Sequence, residues 1–503
     1  MKPKVLLINL PFDTQNFYKQ GYFSKTKQAP LFPFGIAYIA SYLRSNNYEV
    51  EVLDIYANQL DNDKVLSKLR DFNYDVVGIS ALVTQYSYLK WLAPEIKKIK
   101  YVPIIIGNGL ATACYQIVLD NIPEVDICVL GEGEQSTLEI LQNIDDLREV
   151  GGIAYRNGNG NVKMNIGTPL KDIELLPAYD LFDMSLYTRA KIYETGLLDM
   201  RVKYADKPIL SMLTSRGCPY SCNFCGKVIE HARLRKVNDV MCEIAYLVSH
   251  YNIQGVHFID ELFASSKARA IEFSKALKPM NLIWDCQARV NTMDLETMQI
   301  MKDAGCVAIG FGVESCSQKI LDNMNKKTTV KQIEDAMLAA IKIHMPVKVQ
   351  LIFGYPGENE DTIQETVDLF KRIGHPGRAM SAIIPILGTQ LWEYAKSNGM
   401  VKDDELGLYN VMSGFSDNVS PIDFTEFDKE KVGVIGLISL RKKYDAIMEE
   451  NYKQYLYHHP IRLCSDLVHY PSLRMPLLSH FMKRIKLYNV AKLFYHHFVR
   501  CPS

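Results

Sequence analysis

The sequence predicts an α/β protein with an amino-terminal doubly wound, Rossmann-like domain, then a partial (β/α)6 barrel, then a mainly helical carboxyl-terminal region. Three observations predict this. Short apolar runs alternate with helix-period segments over residues 1–142, the alternation lapses over 143–205 and resumes across 206–400, and it is absent from 401–503. Strands alternating with helices build parallel sheets, and such sheets place ligands at the carboxyl ends of their strands. At 503 residues the chain is also too long for one ordinary domain.

In the first series, "KVLLINL" (4–10), "EVEVLDI" (49–55), "DVVGISA" (75–81), "VPIIIGN" (102–108) and "DICVLGE" (126–132) read as buried strands. "GIAYIASYLRSN" and "SYLKWLAPEIKKI" have helical periodicity between them. Residues 143–205 read as a hairpin with a Gly/Asn turn, "GGIAYRNGNGNVKMN", followed by an irregular connector. The second series has six βα units: "ILSMLTSRG", "GVHFIDE", "LIWDCQARV", "CVAIGFGVES", "VKVQLIFGYPGE" and "AMSAIIPILGT".

Composition excludes several classes. Lys plus Arg (57) balances Asp plus Glu (57), so no global charge favours nucleic acid. No apolar run approaches the roughly 18–20 residues that cross a bilayer. The opening "MKPKVLLINLPFD" reads as a buried strand with no cleavage signal behind it. Eleven scattered cysteines do not form a secreted disulfide pattern. The expected address is the reducing cytoplasm.

Three of those cysteines are not scattered. "TSRGCPYSCNFCGK" (214–227) places Cys218, Cys222 and Cys225 on one loop at a strand's carboxyl end. A closed zinc site needs a fourth ligand, and the nearest candidates, His231 and Cys242, are at unhelpful spacing. Three thiolates suit a four-iron cube with one iron left open to chelate a small molecule.

C-x3-C-x2-C with Phe224 before the third cysteine resembles the radical S-adenosylmethionine (SAM) enzymes. The resemblance implies a [4Fe-4S] cluster on Cys218, Cys222 and Cys225, with the amino and carboxylate groups of SAM on the fourth iron. It also implies an electron donor such as flavodoxin or ferredoxin. Phe224, Asp260 in "HFIDELF" at the end of the second strand, Arg289 in "WDCQARV" after the third strand and Glu314 near the end of "GCVAIGFGVES" match positions around SAM in that family, although a capping acid is an equal reading of Asp260.

The amino-terminal domain lacks the glycine fingerprint after its first strand that a dinucleotide site requires. It resembles the cobalamin-binding fold instead. Ser80-Ala81-Leu82 is followed, after residues 83–106, by Gly107-Asn108-Gly109, and "LGEGEQST" (130–137) and "PFGIAY" (33–38) are similar to segments of cobalamin-linked radical SAM proteins. That resemblance implies a cobalamin contact at Ser80, Leu82, Gly107, Gly109, Thr112, Gly131 and Glu132. The D-x-H-x-x-G histidine of many cobalamin proteins is missing from Asp13-Thr14-Gln15-Asn16, and no histidine precedes His231. The resemblance runs from about Val5 to Met400.

Residues 452–503 hold eight Lys/Arg against one acid, Asp466, and six of the eleven histidines, including the pairs His458-His459 and His496-His497. Leu478, Phe481, Met482 and Ile485 share one helical face. Two readings stand for this tail: a helical cap over the barrel mouth, or a peripheral membrane contact.

The resemblance implies a methyltransferase acting on an unactivated carbon of a small-molecule or lipid-like substrate through a 5′-deoxyadenosyl radical. The same domains serve cyclisation or oxidative rearrangement of a porphyrin- or antibiotic-type substrate. A tRNA methylthiotransferase would carry three cluster cysteines in the amino-terminal domain, which here has only Cys114 and Cys128. A cobalamin sensor would not need the cysteine loop.

Overall fold

The computed structural model describes residues 2–11, 30–157, 159–188, 204, 207–229, 232–377, 380–418, 420–428, 432–459 and 462. Asp13–Asn16, His231 and the tail beyond 462 therefore lie outside the described residues.

Five parallel strands open the first sheet: β1 (Val5–Asn9), β2 (Val50–Asp54), β3 (Val76–Ser80), β4 (Ile104–Gly107) and β5 (Ile127–Val129). Their order is β2-β1-β3-β4-β5, and the hairpin β6 (Ile153–Arg156) and β7 (Val162–Asn165) adds two antiparallel strands beyond β5. The hairpin read from the Gly/Asn turn thus widens this sheet. Strand residues alternate between two cores: Val5 and Leu7 face one, Leu6 and Ile8 the other. Burial on both faces explains why the strands read as unbroken apolar runs. The order reverses between β1 and β3, and a sheet of this kind opens its ligand crevice at that switch point.

The second sheet follows β8 (Ile209–Met212). A short ribbon of β9 (Ser215–Arg216) and β10 (Arg233–Leu234) pairs Arg216 with Arg233 across the neck of the cysteine loop. Then come β11 (Gly255–Phe258), β12 (Ile283–Ala288), β13 (Cys306–Glu314), β14 (Val347–Phe353) and β15 (Ser381–Ala382). The sheet runs β8-β11-β12-β13-β14-β15, all parallel, as six βα units predict. Outside it, Trp284 packs with Phe258 and Phe263, and its indole donates to the Ala304 carbonyl at 2.8 Å.

One apolar core runs from Leu7 and Phe34 of the first domain to Phe258 and Trp284 of the second. The carboxyl-terminal helices reinforce the junction. Glu405, opening helix Glu405–Asp417, takes hydrogen bonds from Tyr86 (2.7 Å) and Lys90 (2.5 Å) of the first domain. Helix Gly433–His458 buries Leu437, Tyr444, Met448, Tyr452 and Leu456 at near-heptad spacing and packs on helix Glu360–Ile373. Among the described residues no helix is long and apolar enough to cross a membrane.

Gly305 turns the chain into β13 at φ +93°, and a Cβ there would stand 2.3 Å from the Leu282 carbonyl. Gly305→Ala is expected to destabilise the barrel by on the order of 1–3 kcal/mol through backbone strain. Thermal unfolding checks it: a melting temperature equal to the parent's would contradict this account of the turn.

Candidate active site

The cysteine loop leaves β8 through Thr214 and Ser215. Asp260, buried just past β11, fixes that exit by accepting from the Thr214 N–H (2.9 Å), the Thr214 hydroxyl (3.1 Å) and the Ser215 hydroxyl. Burial raises the Asp260 carboxyl above its ordinary range, and these donors oppose the shift. These contacts tie the Asp260 carboxylate to the base of the cysteine loop.

Gly217 (φ +74°) then turns the chain into Cys218, Cys222 and Cys225. All three cysteines are free thiols; Cys218 and Cys222 are half-buried and Cys225 exposes part of its surface. The surrounding protein atoms raise Cys218, against a backbone donor from Tyr220, and raise Cys225 to about 11. The nearby Glu261 carboxylate and the mutual field of the thiols add to both shifts. Iron binding here must release protons, because only thiolates ligate. Among the described residues no three His, Cys, Asp or Glu side chains converge on a single-ion site. A four-iron cube instead gives each thiolate its own iron, and the donor set suits it.

Arg289, Glu314 and Phe224 gather around this loop. The Arg289 guanidinium lies 3.7 Å from the Tyr220 ring centroid and 4.0 Å from Cys222 Sγ. It also donates to the Lys326 carbonyl and to the Thr328 hydroxyl (2.9 Å). Glu314 ends β13 at φ +65°, an uncommon conformation for a residue with a side chain, where the β13–β14 register shifts. Its carboxylate accepts from Lys326 at 2.7 Å. Gly312 makes room, since a Cβ there would meet Glu314 Oε1 at 2.6 Å and Lys326 Nζ at 3.0 Å. Phe224 packs edge-on to Tyr355 at 6.3 Å.

A cavity of about 260 Å³ opens at the β1/β3 switch point. Ser80, Gly107, Gly131 and Glu132 line it, whereas Leu82, Gly109 and Thr112 are not among its lining residues. Leu82 is held by Gln85 (2.7 Å), and Thr112 accepts from the Gly131 N–H (3.0 Å). Asn108, at φ +75°, donates to the Ser80 hydroxyl at 3.1 Å. A Cβ on Gly107 or Gly109 would meet nothing within 4 Å, so this backbone faces open space that a ligand can fill. The residues present fit the cobalamin tail.

The opposite wall of the cavity is Leu213, Arg216, Val228 and Ile229, which flank the cysteine loop on both sides. The two sites thus back onto one another. Sequence reading gave no site role to three residues that make this junction: Arg216, Arg233 and Glu134. Arg216 and Glu134 had one signal, adjacency to the motifs in "TSRGC" and "GEGE", and Arg233 had none.

Residues 26–141 match the B12 binding domain and residues 212–370 the Radical SAM superfamily. An uncharacterized methyltransferase of Pyrococcus horikoshii is 30% identical over 73% of this chain and 79% of its own. An anaerobic magnesium-protoporphyrin IX monomethyl ester cyclase of Rubrivivax gelatinosus is 26% identical over 66% of this chain and 61% of its own. Among solved structures, a radical S-adenosylmethionine methyltransferase from Kitasatospora setae, with cobalamin and a [4Fe-4S] cluster bound, shares the fold at TM-score 0.61 and 19% identity, over 79% of this chain and 78% of its own.

Cys218→Ala, Cys222→Ala and Cys225→Ala are each expected to remove the oxygen-sensitive brown chromophore from anaerobically purified protein. Full iron and sulfide in the triple variant would show that these thiols hold no cluster.

Proposed function

The chain belongs to the radical SAM superfamily and carries its B12-binding domain, and on that premise we propose that it is a cobalamin-dependent radical SAM methyltransferase acting on an unactivated carbon of a small molecule. Its cofactors are a [4Fe-4S] cluster, SAM and cobalamin. When bound, the cluster supplies the electron that cleaves SAM to a 5′-deoxyadenosyl radical, and cobalamin supplies a methyl carrier. The observation that carries the reading is the shared wall: the segments bracketing the three cysteines also line the cavity at the switch point.

In this reading Cys218, Cys222 and Cys225 hold the cluster. Arg289 places a fixed positive charge 4.0 Å from Cys222 Sγ. Glu314, aimed by its left-handed backbone and steadied by Lys326, accepts from the amino or ribose hydroxyl groups of SAM. Phe224 supplies an apolar surface for the cosubstrate. Ser80, Gly107 and Gly131 admit the cobalamin tail, and the apolar cavity walls keep water from it.

Methyl-deuterated SAM tests the reaction class. Holoenzyme with reductant and its substrate is expected to yield a product heavier by one labelled methyl group, together with 5′-deoxyadenosine. A product lighter by hydrogens and free of label would establish the cyclisation or oxidative alternative instead.

No histidine precedes His231, so the amino-terminal domain supplies no axial imidazole, and the electron paramagnetic resonance of bound cob(II)alamin is expected to show no nitrogen splitting from one. Such splitting would contradict the proposed binding mode.

A further inference from the structure

Four charged side chains meet where the cofactor cavity joins the cysteine loop. Arg216 on β9 reaches Glu132 Oε1 at 2.6 Å and Glu134 Oε1 at 2.7 Å. Arg233, its partner across the ribbon, reaches Glu132 Oε2 at 2.7 Å, and the Leu170 N–H donates to the same oxygen at 3.1 Å. The Arg216 guanidinium also stacks 4.7 Å from the Tyr38 ring centroid. The side chains of Arg216, Glu132 and Glu134 are 9%, 9% and 5% exposed.

The placement is unusual for a structural pair. Both oxygens of one first-domain carboxylate are taken by the two arginines that form the neck of the cysteine loop. Arg216 lies two residues before Cys218, and Glu132 lies one residue after Gly131 of the cavity wall. Two cations and two carboxylates make the group neutral, so each charge is buried with its counterion. Arg216 places one terminal nitrogen on each of two carboxylates, which constrains its guanidinium in direction as well as distance.

We infer that Arg216, Arg233, Glu132 and Glu134 are positioning residues that set the register between the two reaction centres. They clamp the neck of the cysteine loop to the wall of the cofactor cavity. The inference rests on the functional reading above. A displacement of about 1 Å between reacting groups can cost on the order of 100-fold in rate, so a chain that moves a methyl group between two cofactor sites gains from a clamp on their separation. Glu132, which the sequence resemblance placed against cobalamin, shapes the cavity while its carboxylate oxygens serve the clamp.

The test uses full-length protein carrying Arg216→Gln or Arg233→Gln, with Arg216→Lys and Arg233→Lys as charge-conserving controls. In the anaerobic holoenzyme, the reduced cluster accelerates the electron-spin relaxation of nearby cob(II)alamin, an effect that falls steeply with separation. The Gln variants are expected to keep iron and cobalamin yet lose this acceleration severalfold, with partial recovery in the Lys variants. Retained cofactors with parental acceleration would overturn the inference. Amide hydrogen exchange on the cofactor-free chain provides an independent arm. Protection should fall at residues 130–134 and 215–216 together in the Gln variants, while β1 and β3 keep theirs. Unchanged protection would overturn the clamp even if the parent bound no cobalamin, an outcome that by itself would sink only the functional reading. If a Gln variant does not fold, the same two measurements on its Lys counterpart decide: parental values contradict the clamp, and loosened values support it.

Discussion

The molecule depends on a constraint of charge. Arg216 and its carboxylates are buried between two domains, where removing an ion from water costs several kcal/mol unless its partners are close and well oriented. Such a group adds little net stability, because apolar residues of similar size can do as well or better. What it enforces is uniqueness, since any arrangement that separates Arg216 from Glu132 and Glu134 leaves uncompensated charge in a poorly hydrated space. The apolar core beneath it is less discriminating. It runs from Phe34 to Trp284 without a break and would tolerate small slips between the sheets. The core supplies adhesion, and the ions supply register.

A second network repeats this logic further from the cavity. Glu243, buried on helix Val237–Tyr251, accepts from Tyr179 of the connector at 2.5 Å and pairs with Arg235 at 2.6 Å. Burial raises the Glu243 carboxyl, while the Arg235 charge opposes that shift. Arg44 of the first domain pairs with Asp180 of the connector at 2.7 Å. The connector, irregular in sequence, is thus held by polar contacts on both sides. Domains joined in one chain commonly move against each other when their interface is small; here continuous core and buried ion pairs oppose such motion.

Most of the architecture was legible because parallel strands buried on both faces leave a plain apolar trace. "KVLLINL" and "VPIIIGN" read as strands, and β1 and β4 occupy them. The cysteine loop was legible for a different reason: thiolate chemistry demands particular residues at short spacing. Side-chain destinations were less so. Asp260 and Glu314 both end strands at the same mouth, yet one is spent on Thr214 and Ser215 and the other on Lys326. The difference lies in a bulge and a left-handed φ at Glu314, which have no periodic signature. Arg216 and Arg233 were illegible as a pair, since seventeen positions separate them and only the ribbon of β9 and β10 brings them together.

The brevity of β15 has a consequence of its own. A sheet that does not close into a full barrel leaves unpaired backbone donors and acceptors along its last strand, and such a row can template pairing with another molecule. Here that strand is only Ser381–Ala382, too short to seed a ladder with a neighbour. The first sheet is blunted by charge instead, with Glu51 exposed on β2 and Lys163 exposed on β7. The last strand of the second sheet and both edges of the first are thereby poor templates for edge-to-edge pairing.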